Sequence, residues 1–244
     1  MMRHLVKAEW LKGRRKGVRT FIWLFPIVCT LLAVVLMGGL NTQMGIFNWW
    51  YMLVLPACLA LIAIDVVVID KQVQFLPILL LPFEPRKTMT AKVILGCSYL
   101  LVANLIIGGL AMMVGFGFEQ QYSVGTILLA TLVMTLTMCW QIPLGIYLTV
   151  RFQAIASFLL LFGLNVFFSS QSFSGTKFWW IPFSITARLM APILGLNPNG
   201  LALDVTSPLS NRNVLLPGIL ITVCLFVGEV VVLQNRFFRK EQMV

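Results

Sequence analysis

Few residues in this chain are equipped for chemistry. There is one histidine, His4, and it lies in a basic N-terminal segment. An H-E-x-x-H zinc site is therefore impossible, and a serine–histidine–aspartate arrangement is improbable on composition alone. No G-x-x-x-x-G-K-[ST] stretch occurs, so a P-loop nucleotide site is absent from the sequence. Cys29, Cys58, Cys97, Cys139 and Cys224 form no C-x-x-C pair, which suggests neither a zinc site nor a disulfide framework. They read as small packing residues. Two carboxylates, Asp65 and Glu229, fall within apolar runs near an end of each. Ionisable groups in such runs form an ion pair or a hydrogen-bonded latch, or else reach interfacial water and mark the membrane edge. Asp65 and Asp70 are five positions apart, roughly 140° around a helix, so they are not a facing acid–base dyad.

The apolar runs decide the class. The chain has 244 residues, 59% hydrophobic and 11% charged, against about 25% charged in soluble domains. Runs at Thr20–Leu40, Ile46–Ile64, Val93–Phe118, Tyr122–Val150, Phe152–Ser170 and Asn213–Gly228 approach or exceed the roughly 20 residues needed to cross a bilayer, the last two with help from their flanks. The expectation is an all-α integral membrane protein with six transmembrane helices. Residues 1–19 form a cytoplasmic basic segment and 20–244 a single membrane domain. The run from Thr20 is too long for a signal-peptide core and no A-x-A-like site follows, so it reads as an uncleaved span. No internal repeat is visible.

Of the 18 basic residues, 15 fall on one side of that topology: seven before Thr20, then Lys71, Arg86, Lys87, Lys92, Arg151, Arg236, Arg239 and Lys240. Only Lys177, Arg188 and Arg212 fall on the other. This bias places both termini in the cytoplasm. The net charge of +10 is thereby a topology signal, and no basic patch interleaved with aromatics points to nucleic acid.

Three connecting elements stand out. Met2, Leu5, Val6 and Trp10 share one side of a helix over residues 2–19, with Glu9 interrupting it. A helix at the inner membrane surface or a plain basic anchor both fit. The loop from Lys71 to Lys92 is basic, yet Phe75–Leu81 is apolar and is followed by Pro82-Phe83-Glu84-Pro85-Arg86-Lys87. It reads as a short helix with a sticky face that docks on a partner, or rests on lipid. On the outer side, the long segment 171–212, which contains Phe178, Trp179, Trp180 and Arg188, predicts one or two short helices on or dipping into the outer leaflet. Asn48-Trp49-Trp50-Tyr51 predicts an outer aromatic belt.

Three motifs carry a resemblance to a known family. Lys7-Ala8-Glu9-Trp10-Leu11-Lys12-Gly13-Arg14-Arg15 precedes the first span; Phe47-Asn48-Trp49-Trp50-Tyr51 opens the second, after Met37-Gly38-Gly39; and Ile78-Leu79-Leu80-Leu81-Pro82-Phe83-Glu84-Pro85-Arg86-Lys87 lies between spans two and three. Together they resemble ABC-2-type exporter permeases, and more narrowly the permease subunits of lantibiotic self-protection transporters. The chain departs from many such permeases in having Asp70-Lys71-Gln72-Val73-Gln74 where an acidic residue and Asn-Gly-Thr often stand. The resemblance implies a non-catalytic membrane subunit in a bacterial plasma membrane, paired with a second permease and two copies of an ATPase that holds ATP and magnesium. It implies that Phe75, Leu79, Leu80, Pro82, Phe83, Glu84, Arg86 and Lys87 touch that ATPase, that the cargo is a membrane-active peptide, and that Phe178, Trp179, Trp180 and Arg188 of the outer segment are where that peptide makes contact. Export of another amphipathic molecule, or ATP-independent sequestration by a stand-alone immunity or scaffold protein, are the alternatives.

Overall fold

The computed structural model describes residues 2–13, 17–39, 41–76, 78, 85–175, 177–204 and 206–241. These form helices α1 (Met2–Lys12), α2 (Val18–Met37), α3 (Thr42–Gln72), α4 (Pro85–Gly117), α5 (Val124–Arg151), α6 (Ala154–Ser169), α7 (Pro182–Leu194) and α8 (Leu215–Glu241). Among the described residues no strand occurs. Five helical stretches are long and apolar enough to cross a membrane: Arg19–Met37, Thr42–Gln72, Pro85–Gly117, Val124–Arg151 and Arg212–Asn235. The chain is thus a multi-pass, all-α membrane protein. The expected fifth span is shorter: α6 has 16 residues, about 24 Å at 1.5 Å per residue, against a hydrocarbon thickness of about 30 Å.

Helix α3 is the central member, packed on α2, α4, α5 and α6. Its contact with α5 is close because Gly145 has no side chain. A Cβ there would lie 2.6 Å from the Cβ of Ala63 and 2.8 Å from Leu161. Prolines inside these long helices are absorbed locally. Pro56 offers no N–H, and α3 widens just before it into a π turn over Trp50–Val54, in which the Leu55 N–H reaches back to the Trp50 carbonyl. Pro143 likewise leaves the Cys139 carbonyl without its usual donor. That carbonyl takes the Ile142 N–H at 3.1 Å instead, and α5 steps at Cys139 and Trp140.

Polar contacts sort the helix termini into two ends. At one end, Lys71 Nζ donates to the carbonyls of Thr149 (2.7 Å) and Phe152, joining the end of α3 to the α5–α6 turn. Gln234 of α8 donates to Thr90 Oγ1 at 2.8 Å, near the start of α4. At the other end, Gln43 Oε1 accepts from the N–H groups of Gln121 (2.7 Å) and Tyr122 (3.0 Å), bridging the α2–α3 and α4–α5 turns. Lys71, Arg86, Lys87, Lys92 and Arg151 all belong to the first end, which we call the basic end.

After α6 comes a short helix, and of the two placements expected for it, on the surface or dipping inward, α7 takes the inward one: it is inserted in the bundle, buried from Ser184 to Leu194 except for Ile193. Helix α6 rises from the basic end beside α5, with Gln141 and Asn165 exchanging side-chain hydrogen bonds at 3.0 and 2.6 Å. Phe183, at the start of α7, meets Trp140 edge-on at 5.0 Å between centroids, so α7 begins about midway along α5. It continues past Thr137, whose hydroxyl lies 3.0 Å from that of Thr186, and the turn beyond it reaches the far end, where Asn48 Nδ2 donates to the Pro198 carbonyl. Helices α6 and α7 therefore run in series from one end of the bundle to the other. The expected aromatic belt is also corrected. Because α3 starts at Thr42, Trp50 and Tyr51 lie two turns inside it, fully buried, and Trp50 Nε1 donates to Asn104 Oδ1 at 2.8 Å. Of the cysteines, Cys29 and Cys58 are buried packing residues, Cys97 and Cys139 partly so, while Cys224 is exposed on α8.

Candidate functional site

The densest charged constellation among the described residues sits at the basic end and joins three helices. Glu9 and Lys12 come from α1, one turn apart. Asp70 comes from the last turn of α3, and Lys92 from the second turn of α4. Lys12 Nζ lies 2.9 Å from Glu9 Oε1 and 3.1 Å from Asp70 Oδ1. Lys92 Nζ pairs with the other oxygen of each carboxylate, Glu9 Oε2 and Asp70 Oδ2. The result is a closed ring of alternating sign, in which each carboxylate bridges both lysines.

Local chemistry explains why the ring forms there. Helix α3 ends in a Schellman turn: the Phe75 N–H donates to the Asp70 carbonyl at 2.6 Å and the Gln74 N–H to the Lys71 carbonyl at 3.0 Å. Gln74 (φ 54°) and Phe75 (φ 59°) both take left-handed backbone to make it. Asp70 thus closes its helix with its carbonyl and offers its carboxylate sideways. Lys92 is 1% exposed, and its third proton goes to the Val66 carbonyl at 2.9 Å. All three ammonium donors are used. Glu9 and Asp70 are 7% and 2% exposed. Charges this buried persist only when paired and hydrogen-bonded, and the two-plus-two arrangement meets that condition. Burial pulls the Lys12 ammonium down, but its hydrogen bonds and charge attraction to Glu9 and Asp70 outweigh this and hold it above its ordinary value of 10.5. A group raised in this way contributes its stabilisation at neutral pH and loses it only as pH climbs through that raised value.

Sequence reasoning assigned these residues differently. Glu9 reads as a flaw in the apolar face of α1; in the structure it is the residue that docks the helix. Lys92 reads as a solvated loop cation; α4 begins at Pro85, which draws Lys92 into the protein. The signal was an acid on an apolar face and opposite charges at the two ends of one loop. Asp65 lines a cavity of about 20 Å³ beside the ring, together with Glu9, Lys12, Lys92 and Tyr99, room for about one water. Glu229, half-buried on α8, has no hydrogen-bond or ion-pair partner among the described residues, and α8 packs chiefly on α5 and α4. A charged link between helices among the described residues runs through Asp70.

Of the residues expected to touch an ATPase, Leu79, Leu80, Pro82, Phe83 and Glu84 lie outside the described residues. Phe75 packs partly buried against the core, Arg86 is exposed and Lys87 is half-buried on the first turn of α4. Phe178 and Trp180 are exposed and Trp179 half-buried, on a stretch that leaves and re-enters the bundle at the level of Trp140. Arg188 is turned away from them. Its guanidinium is buried and donates to the carbonyls of Leu209 (2.8 Å) and Pro208 (3.3 Å), fastening the turn before α8.

Among the described residues no group of three or more histidine, cysteine, aspartate or glutamate side chains is placed to hold a metal. Comparison with family models, characterised proteins and solved structures gives no match. What the site offers is mechanical: an ionic clasp that fixes an amphipathic helix to both ends of a basic loop.

Proposed function

We propose that this chain is the membrane subunit of an ATP-driven exporter of the ABC-2 type, working with a second permease and two copies of an ATPase, and that its cargo is a lantibiotic-like antimicrobial peptide. In this reading the chain crosses the plasma membrane of a bacterium six times, the fifth crossing being made by α6 and α7 in series, and both termini are cytoplasmic. It is not an enzyme; ATP and magnesium are handled by the partner.

One observation carries the reading. Asp70 and Lys92, at the two ends of the 71–92 loop, are clasped to each other and to α1 at the end where positive charge is concentrated. A loop that only lay on lipid has no need of such bracing. A loop pushed by another protein does, because a displacement of its tip reaches the membrane helices only if its roots are stiff. Phe178 and Trp180, exposed on the flank of the bundle, are where an amphipathic peptide in the outer half of the membrane would enter sideways.

The test is capture of the tagged chain from mild detergent, coupled to peptide protection of cells. We expect an ATPase to co-purify, and Leu80→Asp or Phe83→Asp to abolish protection while the protein stays in the membrane. Full protection by either variant, or protection that survives deletion of the ATPase, would remove the reading and favour stand-alone sequestration.

A further inference from the structure

A second feature of the basic end is an open groove of about 590 Å³ between α1 and α4. Met2, Val6 and Trp10 form one wall, and Ile94, Ser98 and Val102 the other. Its volume is that of a small-molecule site. The α4 wall belongs to the stretch Pro85–Gly117, which is apolar enough to lie in a membrane, so the groove opens toward lipid just inside the basic end. Its lip differs from its walls. Arg3 and Lys7, four residues apart on α1 and both exposed, line the mouth. Residues at that spacing sit one above the other on a helix face. Carbon-lined walls under a pair of cations match a molecule with an acyl chain and an anionic head.

We propose that this groove is a binding site for one anionic phospholipid, its acyl chain between α1 and α4 and its phosphate on Arg3 and Lys7. The site has a consequence for the ionic ring. Leu95 and Tyr99 form the floor of the groove and also line the small cavity beside Lys92 and Asp70. A lipid in the groove therefore lies one side chain away from the ring and closes its approach to water. It strengthens the ring by lowering the local dielectric and holds α1 down from its other half. Membrane composition is in this way coupled to whether the N-terminal helix is docked. The proposal rests on the membrane character of the chain and not on the transport reading, so either can fail alone.

The experiment is native mass spectrometry of the full-length protein extracted from nanodiscs of phosphatidylcholine mixed with phosphatidylglycerol. We expect one phosphatidylglycerol to be retained by the wild type. Arg3→Gln with Lys7→Gln should weaken that retention by about tenfold or more, given roughly 1 kcal/mol per cation near a membrane surface. Ser98→Trp and Val102→Trp, at exposed positions in the wall, should fill the groove and expel the lipid with both cations intact. A melting midpoint in lipid-free detergent equal to that of the wild type shows that each variant is folded. Equal retention of the two lipids by the wild type overturns the proposal, as does undiminished phosphatidylglycerol on both folded tryptophan variants.

Discussion

The two ends of this bundle solve the problem of buried polarity in opposite ways. At the basic end the most buried polar groups are ion-paired: Glu9, Lys12, Asp70 and Lys92 close a ring in which each group faces two of the other sign. Toward the far end and through the middle they are mostly neutral, with buried Arg188 on α7 held by backbone carbonyls instead of by a countercharge. Trp50 donates to Asn104 Oδ1, Asn104 Nδ2 donates to Thr135 Oγ1 at 2.9 Å, and Gln43 Nε2 donates to the Ala111 carbonyl at 2.8 Å. The difference follows from depth. A charge at the centre of a bilayer costs roughly 2.5–3.5 kcal/mol on insertion scales, and less near an edge. Amides and indoles can cross-link helices at any depth, but only weakly. Strong, breakable fastening belongs at the edge, and that is where a partner protein could act on it.

The largest expected effect comes from removing a charge. Lys92→Met leaves Glu9 and Asp70 facing each other with only half-exposed Lys12 between them. Removing one partner of a buried pair costs about 3–5 kcal/mol. We expect a correspondingly large drop in thermal stability and fast hydrogen exchange throughout residues 2–12. The triple variant Lys92→Met, Glu9→Gln, Asp70→Asn should recover much of the stability, since it leaves no unpaired buried charge. If the single variant melts like the wild type with α1 still protected, the ring is ornamental and the contrast between the two ends fails.

Asn104→Leu probes the neutral region and should be milder. It deletes two side-chain hydrogen bonds, each averaging about 0.6 kcal/mol in membrane proteins and reaching about 1.7. The buried Trp50 N–H is left without its acceptor. A loss of about 1–2 kcal/mol in a steric-trapping or denaturant measurement in bicelles is expected, with α1 exchange unchanged. Loss of α1 protection in this variant would show that the two regions are one cooperative unit instead of two.

How much of this could be read beforehand differs between the same two regions. The long helices were legible because a membrane span is announced by composition over 20 residues; the runs at Thr20–Leu40 and Val93–Phe118 correspond closely to α2 and the inner part of α4. The ring was not legible, because pairing depends on how α1 folds back, and nothing in the spacing of Glu9 and Lys92 encodes an 83-residue contact. Helix α7 was legible as a short helix, but its depth was open between the surface and the interior for a related reason. Its insertion rests on contacts distant in sequence: Thr186 finds Thr137 and Gly218 leaves room for Leu189, so the bundle accepts it. The aromatic run at Asn48–Tyr51 was misjudged because the Trp50 indole has its partner on α4 and Asn48, which donates to the Tyr51 hydroxyl, is held by the Pro198 carbonyl, contacts that only packing supplies.

The smallest expected effect separates the ring from the backbone beneath it. Gln74 sits at the left-handed position of the Schellman turn that ends α3, with φ 54°. Left-handed backbone costs a residue with a Cβ about 1–2 kcal/mol, a cost glycine does not carry. Gln74→Gly changes no charge and touches no ring member's side chain. If the ring positions Asp70, the substitution relieves a local strain and stability rises by about 0.5–1 kcal/mol after the extra chain entropy of glycine is set against it. If instead the turn positions Asp70 and the ring merely follows, the more flexible backbone at position 74 loosens Asp70, and residues 2–12 exchange faster than in the wild type. Hydrogen exchange of α1 in Gln74→Gly therefore distinguishes a clasp that shapes the loop from a loop that happens to present a clasp.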